Sequence, residues 1–359
     1  MAATVGLVTG AGNGGDEGSG SEPAREERPA PAGGLSLERQ VGSLLLMSYD
    51  GADVPGYILR RLRSGEGSGV ILFGPNVPDE DSLKAATRAL KRASGGGALV
   101  ATDQEGGDIR SVAFAPPEPS QSELATPAAA TSAARDGARA LHGLGVNVNL
   151  APVADVSETP GSIVAGRAFP GDAGTVARLV VSTIKAYERE RVATTIKHFP
   201  GLGEATENTD DVSVTIDTPR DGLEDVALNP FQAGISGGAP LVMVSHALYP
   251  ALDGDSIASQ SRPVVQDLLR GEMGFEGAVV TDSLEAQAVL DRSGVAEAAE
   301  RSVEAGVDLV LMTGSGSWNE VYPRLLRRAR RDATFRERVA ESADRVLALK
   351  RRLGLRPGP

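Results

Sequence analysis

From residue 36 onward one alternation repeats. Short apolar runs are separated by longer stretches in which apolar residues recur every three or four positions. The runs are LLLMSY (44–49), GVILF (69–73), ALVATD (98–103), VNVNLAPVAD (146–155), ATTIKHF (193–199), PLVMVSH (240–246), GAVVTD (277–282) and VDLVLMT (307–313). The stretches between them read as amphipathic helices, for example 79–94, 175–191 and 334–353. In the second, Val176, Leu179, Val180, Ile184 and Tyr187 share one face. Near-continuous apolar strands alternating with helices predict a parallel sheet covered on both sides. Eight units predict a closed (β/α)₈ barrel spanning residues 36–356 as a single domain. The competitor is an open doubly wound sheet, which commonly carries a phosphate-binding glycine turn after its first strand. None follows 44–49 here.

Residues 13–34, NGGDEGSGSEPAREERPAPAGG, have almost nothing to bury, so 1–35 is expected to be a disordered leader or tether. The run VTGAGNGG (8–15) imitates a dinucleotide-binding turn, but no helical pattern follows its glycines. Composition narrows the function. A net charge of −12 argues against a general nucleic-acid binder. The absence of cysteine excludes disulfides, thiolate metal sites and a cysteine nucleophile. No run of roughly 18 apolar residues exists to span a bilayer. A monomer is expected, and the tether-like leader favours the cell envelope or exterior over the cytoplasm.

In a (β/α)₈ barrel the C-terminal strand ends carry the chemistry. Here those ends hold Asn76, Asp103 with Glu105, Asp155, Lys197 with His198, His246, Asp282 and Thr313. Arg167 follows the fourth run. Two of the three histidines fall at strand ends; His142 lies in a helix. Asp155 reads as a helix cap or an internal partner. Asp282 is less easily explained that way, because Ser283 is available to cap. No carboxylate sits at ligand spacing beside His198 or His246, so neither a metal nor another cofactor is expected. Carboxylates with polar donors and no metal set point to a polyhydroxylated ligand such as an oligosaccharide or cell-wall glycan. Glycoside hydrolysis needs two such groups flanking one bond.

Several blocks together carry a family signature: ATDQEGG (101–107), NVNLAPVADV (147–156), GRAFPGD (166–172), KHFPGLG (197–203), VMVSHALYPALD (242–253) and GFEGAVVTDSLE (274–285). In this order the chain resembles family 3 glycoside hydrolases, in their single-domain β-N-acetylhexosaminidase branch, over about residues 36–355. The resemblance implies a retaining glycosidase with Asp282 as nucleophile. It implies sugar binding by Asp103, Arg167, Lys197 and His198; His246 joins them as a candidate from its strand-end position.

The sequence departs from that branch in one loop. There KHFPG is usually followed by His-Gly, four residues, and Asp-Ser-His, whose histidine is the acid/base. Here Leu202 stands at the first histidine, and Asn208-Thr209-Asp210 stands over Asp-Ser-His. No histidine occurs between 199 and 245. Asp210 is therefore the candidate acid/base, since a carboxylic acid raised by its surroundings does this work in other glycosidases. Two alternatives stay open: a non-hydrolytic glycan-binding relative, and a β-glucosidase-type specificity. A phosphorolytic relative is disfavoured, because an anionic aspartate repels incoming phosphate.

Overall fold

The computed structural model describes residues 34–356. The expected leader lies almost wholly outside the described residues, and the run 8–15 entirely so. Each apolar run contains one strand: β1 (Leu45–Met47), β2 (Gly69–Leu72), β3 (Leu99–Thr102), β4 (Val148–Asn149), β5 (Ala193–Phe199), β6 (Leu241–Val244), β7 (Ala278–Thr281) and β8 (Val310–Leu311). All pair in parallel, in the order β7-β6-β5-β4-β3-β2-β1-β8. A bridge between Val280 and Leu309 closes the ring. There the Thr281 N–H donates to the Leu309 carbonyl at 3.0 Å, and the Leu309 N–H to the Val279 carbonyl at 2.9 Å. The architecture is a (β/α)₈ barrel, as the eight-fold alternation predicts.

The strands read as unbroken runs because both faces are buried. Side chains still alternate. Leu46, Ile71, Leu99, Ala101, Val148, Met243, Val280 and Leu311 form one cluster inside the barrel. Leu45, Met47, Val70, Leu72 and Val100 belong to the cluster between strands and helices. The barrel interior therefore fills with medium-sized aliphatic groups, in keeping with a chain only 4% aromatic.

Helix starts are set by polar caps. The side chains of Asp79, Thr126, Asp172 and Asp332 accept the N–H three residues on, from Ser82, Ala129, Thr175 and Phe335. Each such cap contributes about 1 kcal/mol. The helices Glu80–Ala93, Ala173–Arg189 and Ala333–Arg352 fall within two residues of the predicted ranges. The last of these carries Val346 and Leu349 against the interior cluster and, with Leu353 and Leu355, stops the bottom of the barrel. Beside it Asp308, fully buried, meets three guanidinium groups. Arg270 lies at 2.5 Å, Arg338 at 3.2 Å and Arg345 at 3.3 Å. Asp308 also accepts the Val279 N–H at 2.9 Å, which ties this cluster to the β7–β8 closure. Among the described residues no helix is long and apolar enough to cross a membrane.

Candidate active site

The chain leaves β3 as an extended segment, Gln104–Gly106, in a small hairpin with Ile109–Arg110. Residues two apart on such a segment face the same way. Asp103 and Glu105 thus aim together, while Gln104 turns away. Its amide donates to the carbonyls of Val112, Ala115 and Pro116 and accepts the Val112 N–H, which folds the following loop against the strand.

Glu105 becomes the buried centre of an ionic chain. Arg167 grips it through two bonds, Nε–Oε2 at 2.9 Å and Nη2–Oε1 at 2.7 Å. Lys197 Nζ lies 2.7 Å from the same carboxylate and 2.8 Å from Asp103 Oδ1. The inner pair is nearly sealed, with side-chain exposures of 3% for Lys197 and 2% for Glu105. The outer members keep more surface, 22% for Asp103 and 28% for Arg167, so these two present polar atoms to the mouth. Burial pushes the Glu105 carboxyl up, but Lys197 and Arg167 outweigh it and hold it at about 2. Burial likewise disfavours the charge on Lys197, and Asp103 and Glu105 more than restore it. The arrangement is charge-balanced and rigid.

At the end of β5 the motif Lys-His-Phe-Pro-Gly-Leu-Gly turns the chain sharply. Gly201 adopts φ +133, a conformation L side chains rarely adopt. Gly203 passes so close to the segment after β4 that a Cβ would sit 1.9 Å from the Val156 carbonyl oxygen. Asp155, fully buried, organises this turn rather than capping a helix. It accepts the backbone N–H of Leu202 at 2.7 Å and of His198 at 3.1 Å, and contacts His198 Nδ1 at 2.7 Å. A carboxylate at Nδ1 places the ring proton there and leaves Nε2 free. Leu202, standing where the branch has a histidine, is buried in the core between strands and helices.

His246, at the end of β6, has both ring nitrogens engaged by the protein. Nε2 lies 2.8 Å from the Ser283 carbonyl and Nδ1 2.7 Å from the Ser259 hydroxyl. A carbonyl only accepts, so Nε2 carries the proton and Nδ1 accepts from Ser259. Burial lowers the His246 pKa in spite of the neighbouring Asp282, which keeps the ring neutral. Its direct role is to hold the segment after β7.

Asp282 ends that strand. Its N–H donates to the Val244 carbonyl at 3.2 Å, and its Oδ1 accepts the Ser283 N–H at 2.8 Å. Ser283 in turn bonds Thr313 Oγ1 at 2.6 Å, and Glu285 accepts from the Thr313 N–H and the Ser317 hydroxyl. Burial alone would raise the Asp282 carboxyl. His198, His246, Lys197 and the Ser283 N–H outweigh it and leave the pKa below the ordinary carboxylate value.

The loop bearing Asp210 is stitched to the same segment. The Gln287 N–H donates to the Asp210 carbonyl at 3.0 Å and the Ala288 N–H to the Thr209 carbonyl at 3.1 Å. Asn208 Oδ1 accepts the Asp210 N–H at 3.1 Å. Asp210 stays accessible at the mouth, yet its pKa is raised, first by burial of the carboxyl and then by the charge of Asp282. Two aspartates on one rim are thus pushed in opposite directions. The three exposed large apolar side chains among the described residues, Phe114, Ile163 and Leu290, also lie on segments that follow β3, β4 and β7, Leu290 at the end of the short helix Gln287–Leu290. No group of three or more His, Cys, Asp or Glu that could hold a metal occurs among the described residues.

The fold and this rim define a barrel glycosidase, and the comparisons give its family. The family model described as glycosyl hydrolase family 3 N terminal domain matches residues 37–349, so the chain belongs to glycoside hydrolase family 3. It is a β-hexosaminidase-like hydrolase. A beta-hexosaminidase of Xanthomonas oryzae pv. oryzae is 32% identical over 279 residues, 75% of this chain and 83% of that protein. The β-N-acetylhexosaminidase structure from Beutenbergia cavernae superposes with a TM-score of 0.80 at 36% identity, covering 88% of this chain and 98% of that one. A family 3 β-N-acetylglucosaminidase from Paenibacillus sp. gives a TM-score of 0.85 at 31% identity over 89% of this chain, which spans 63% of that longer protein.

Of the sequence-predicted residues, Asp103, Arg167, Lys197 and His198 form the ionic and polar wall described above, and Asp282 and Asp210 share electrostatic contact. Sequence reasoning noted Glu105 without assigning it a task; its signal was the two-residue spacing from Asp103. It also left Asp155 as a helix cap or an internal partner. The structure shows the second, with His198 and the turn as the partners.

Proposed function

We propose that this chain removes terminal β-linked N-acetylglucosamine from oligosaccharides or cell-wall glycans, with retention, through a covalent bond to Asp282. The observation that supports this reading is the opposed tuning of two aspartates on one rim: the lowered Asp282 suits a nucleophile and the raised Asp210 suits an acid. Asp282 Oδ1 is held by the Ser283 N–H, so Oδ2 attacks the anomeric carbon. Asp210, whose charge is disfavoured by burial and by Asp282, acts as the acid and gives a proton to the departing oxygen. The Asp210 carboxylate then takes a proton from water as that water attacks the glycosyl-aspartate, restoring both groups. Asp103 accepts from sugar hydroxyls and Arg167 donates to them, while Lys197 and Glu105 keep that pair in place. His198 Nε2 faces the same sugar. The specificity for an acetamido sugar rests on the named relatives; a β-glucosyl preference is the outcome that substrate comparison would reveal.

The missing loop histidine favours one second reading, a glycan-binding protein without turnover. Asp282→Ala separates the two. It is expected to lower hydrolysis of an aryl N-acetyl-β-glucosaminide by more than about 10³-fold with an unchanged unfolding midpoint. Wild-type protein that binds chito-oligosaccharide but turns over no aryl glycoside would establish the binding reading instead.

A further inference from the structure

At the end of the barrel away from the aspartates, the last helix buries Lys350, which is 7% exposed. Its Nζ donates to the Ser68 carbonyl at 3.0 Å, and that carbonyl already accepts the Leu99 N–H at 3.0 Å. An ammonium has three protons, so two remain. Burial alone pushes the amine down to about 8, with no charged partner to offset it. Ser68 is 1% exposed, and its hydroxyl has no hydrogen-bond partner. Lys350 and Ser68 line a cavity of about 50 Å³ together with Arg39. Arg39 packs on Gly65, where a Cβ would come within 2.6 Å of its Nε. The rest of the wall is Leu35, Leu62, Leu347, glycines and the hydroxyls of Ser43 and Ser94, which already donate to carbonyls. No acidic side chain among the described residues lines it.

The wall is therefore rich in unspent donors and carries cationic charge with no counter-charge. A buried cation without a partner is strongly unfavourable. One water leaves the Lys350 ammonium without a counter-charge, whereas an anion supplies that charge and accepts from every donor present. The geometry points to a binding site for a small monovalent anion of halide size, held by Lys350 Nζ, the Ser68 hydroxyl and Arg39. It would join the last helix to the start of β2 and to the first helix, Leu37–Ser43, and so act on stability rather than on turnover.

Crystals of the protein grown in sodium bromide test this directly. An anomalous peak within hydrogen-bond distance of Lys350 Nζ and Ser68 Oγ is expected; ordinary water there, or no density, overturns the proposal. In solution, replacing gluconate by chloride at equal ionic strength should raise the unfolding midpoint by about 2 °C or more, growing with chloride concentration. Lys350→Met should abolish that chloride effect, and Ser68→Ala should weaken it if the first variant fails to fold. An equal chloride effect in Ser68→Ala and in a folded Lys350→Met assigns the shift to general surface screening and also overturns the site.

Discussion

At the end of β7 the Asp282 carboxylate meets His198, His246 and Lys197, while Asp210 meets Asp282 itself. The same side chain thus does two jobs because its neighbours differ. This has a consequence for the pH profile. Asp282 must be ionised, so kcat/KM falls on the acid side as pH drops through its lowered pKa. Asp210 must be protonated, so kcat/KM falls on the alkaline side as pH rises through its raised pKa. Removing Asp210 should erase the alkaline limb and leave the acid limb. At this scale the sequence was informative for groups at strand ends, since position on the barrel predicts their direction. It read His246 as a sugar-binding candidate from its strand-end position, whereas both ring nitrogens are taken by Ser259 and the Ser283 carbonyl, partners 13 and 37 residues away.

The β3 and β5 segments meet through Glu105, Lys197 and Arg167, and this junction has its own pH signature. Glu105 is held at about 2, below its ordinary value of 4.5. A depressed carboxylate contributes stability that is complete above about 4.5 and is lost as pH falls toward 2. Glu105→Gln should flatten that acid-side loss. Glu105→Ala should lower stability by about 3 kcal/mol, because it strands Arg167 and half of the Lys197 pairing in a buried site. Urea unfolding at neutral and acid pH measures both effects. The run ATTIKHF announced β5 from its apolar content. The turn after it was less legible: Gly201 and Gly203 are required by a left-handed φ and by the approach to Val156, neither of which periodicity reports.

For the molecule as a whole, eight apolar runs sufficed to identify the barrel, because burial on both faces leaves no polar alternation within a strand. What the pattern did not reveal is how the ring closes. The closure depends on Asp308, a buried carboxylate shared by Arg270, Arg338 and Arg345 from two helices distant in sequence. Asp308→Ala should cost about 3–5 kcal/mol of stability by leaving these cations without their partner. Turnover at low temperature should stay near wild type, since the cluster sits at the opposite end from Asp282.

The assignment of Asp210 as acid/base is the central claim, and one comparison addresses it. Asp210→Ala is assayed on N-acetyl-β-glucosaminides with good and poor leaving groups, with and without azide. The account predicts a loss of about 10²–10⁴-fold on poor leaving groups, a much smaller loss on activated ones, and recovery of the activated reaction by azide with β-glycosyl azide as product. Equal losses on both substrate types, with no effect of azide and no azide adduct, would contradict it.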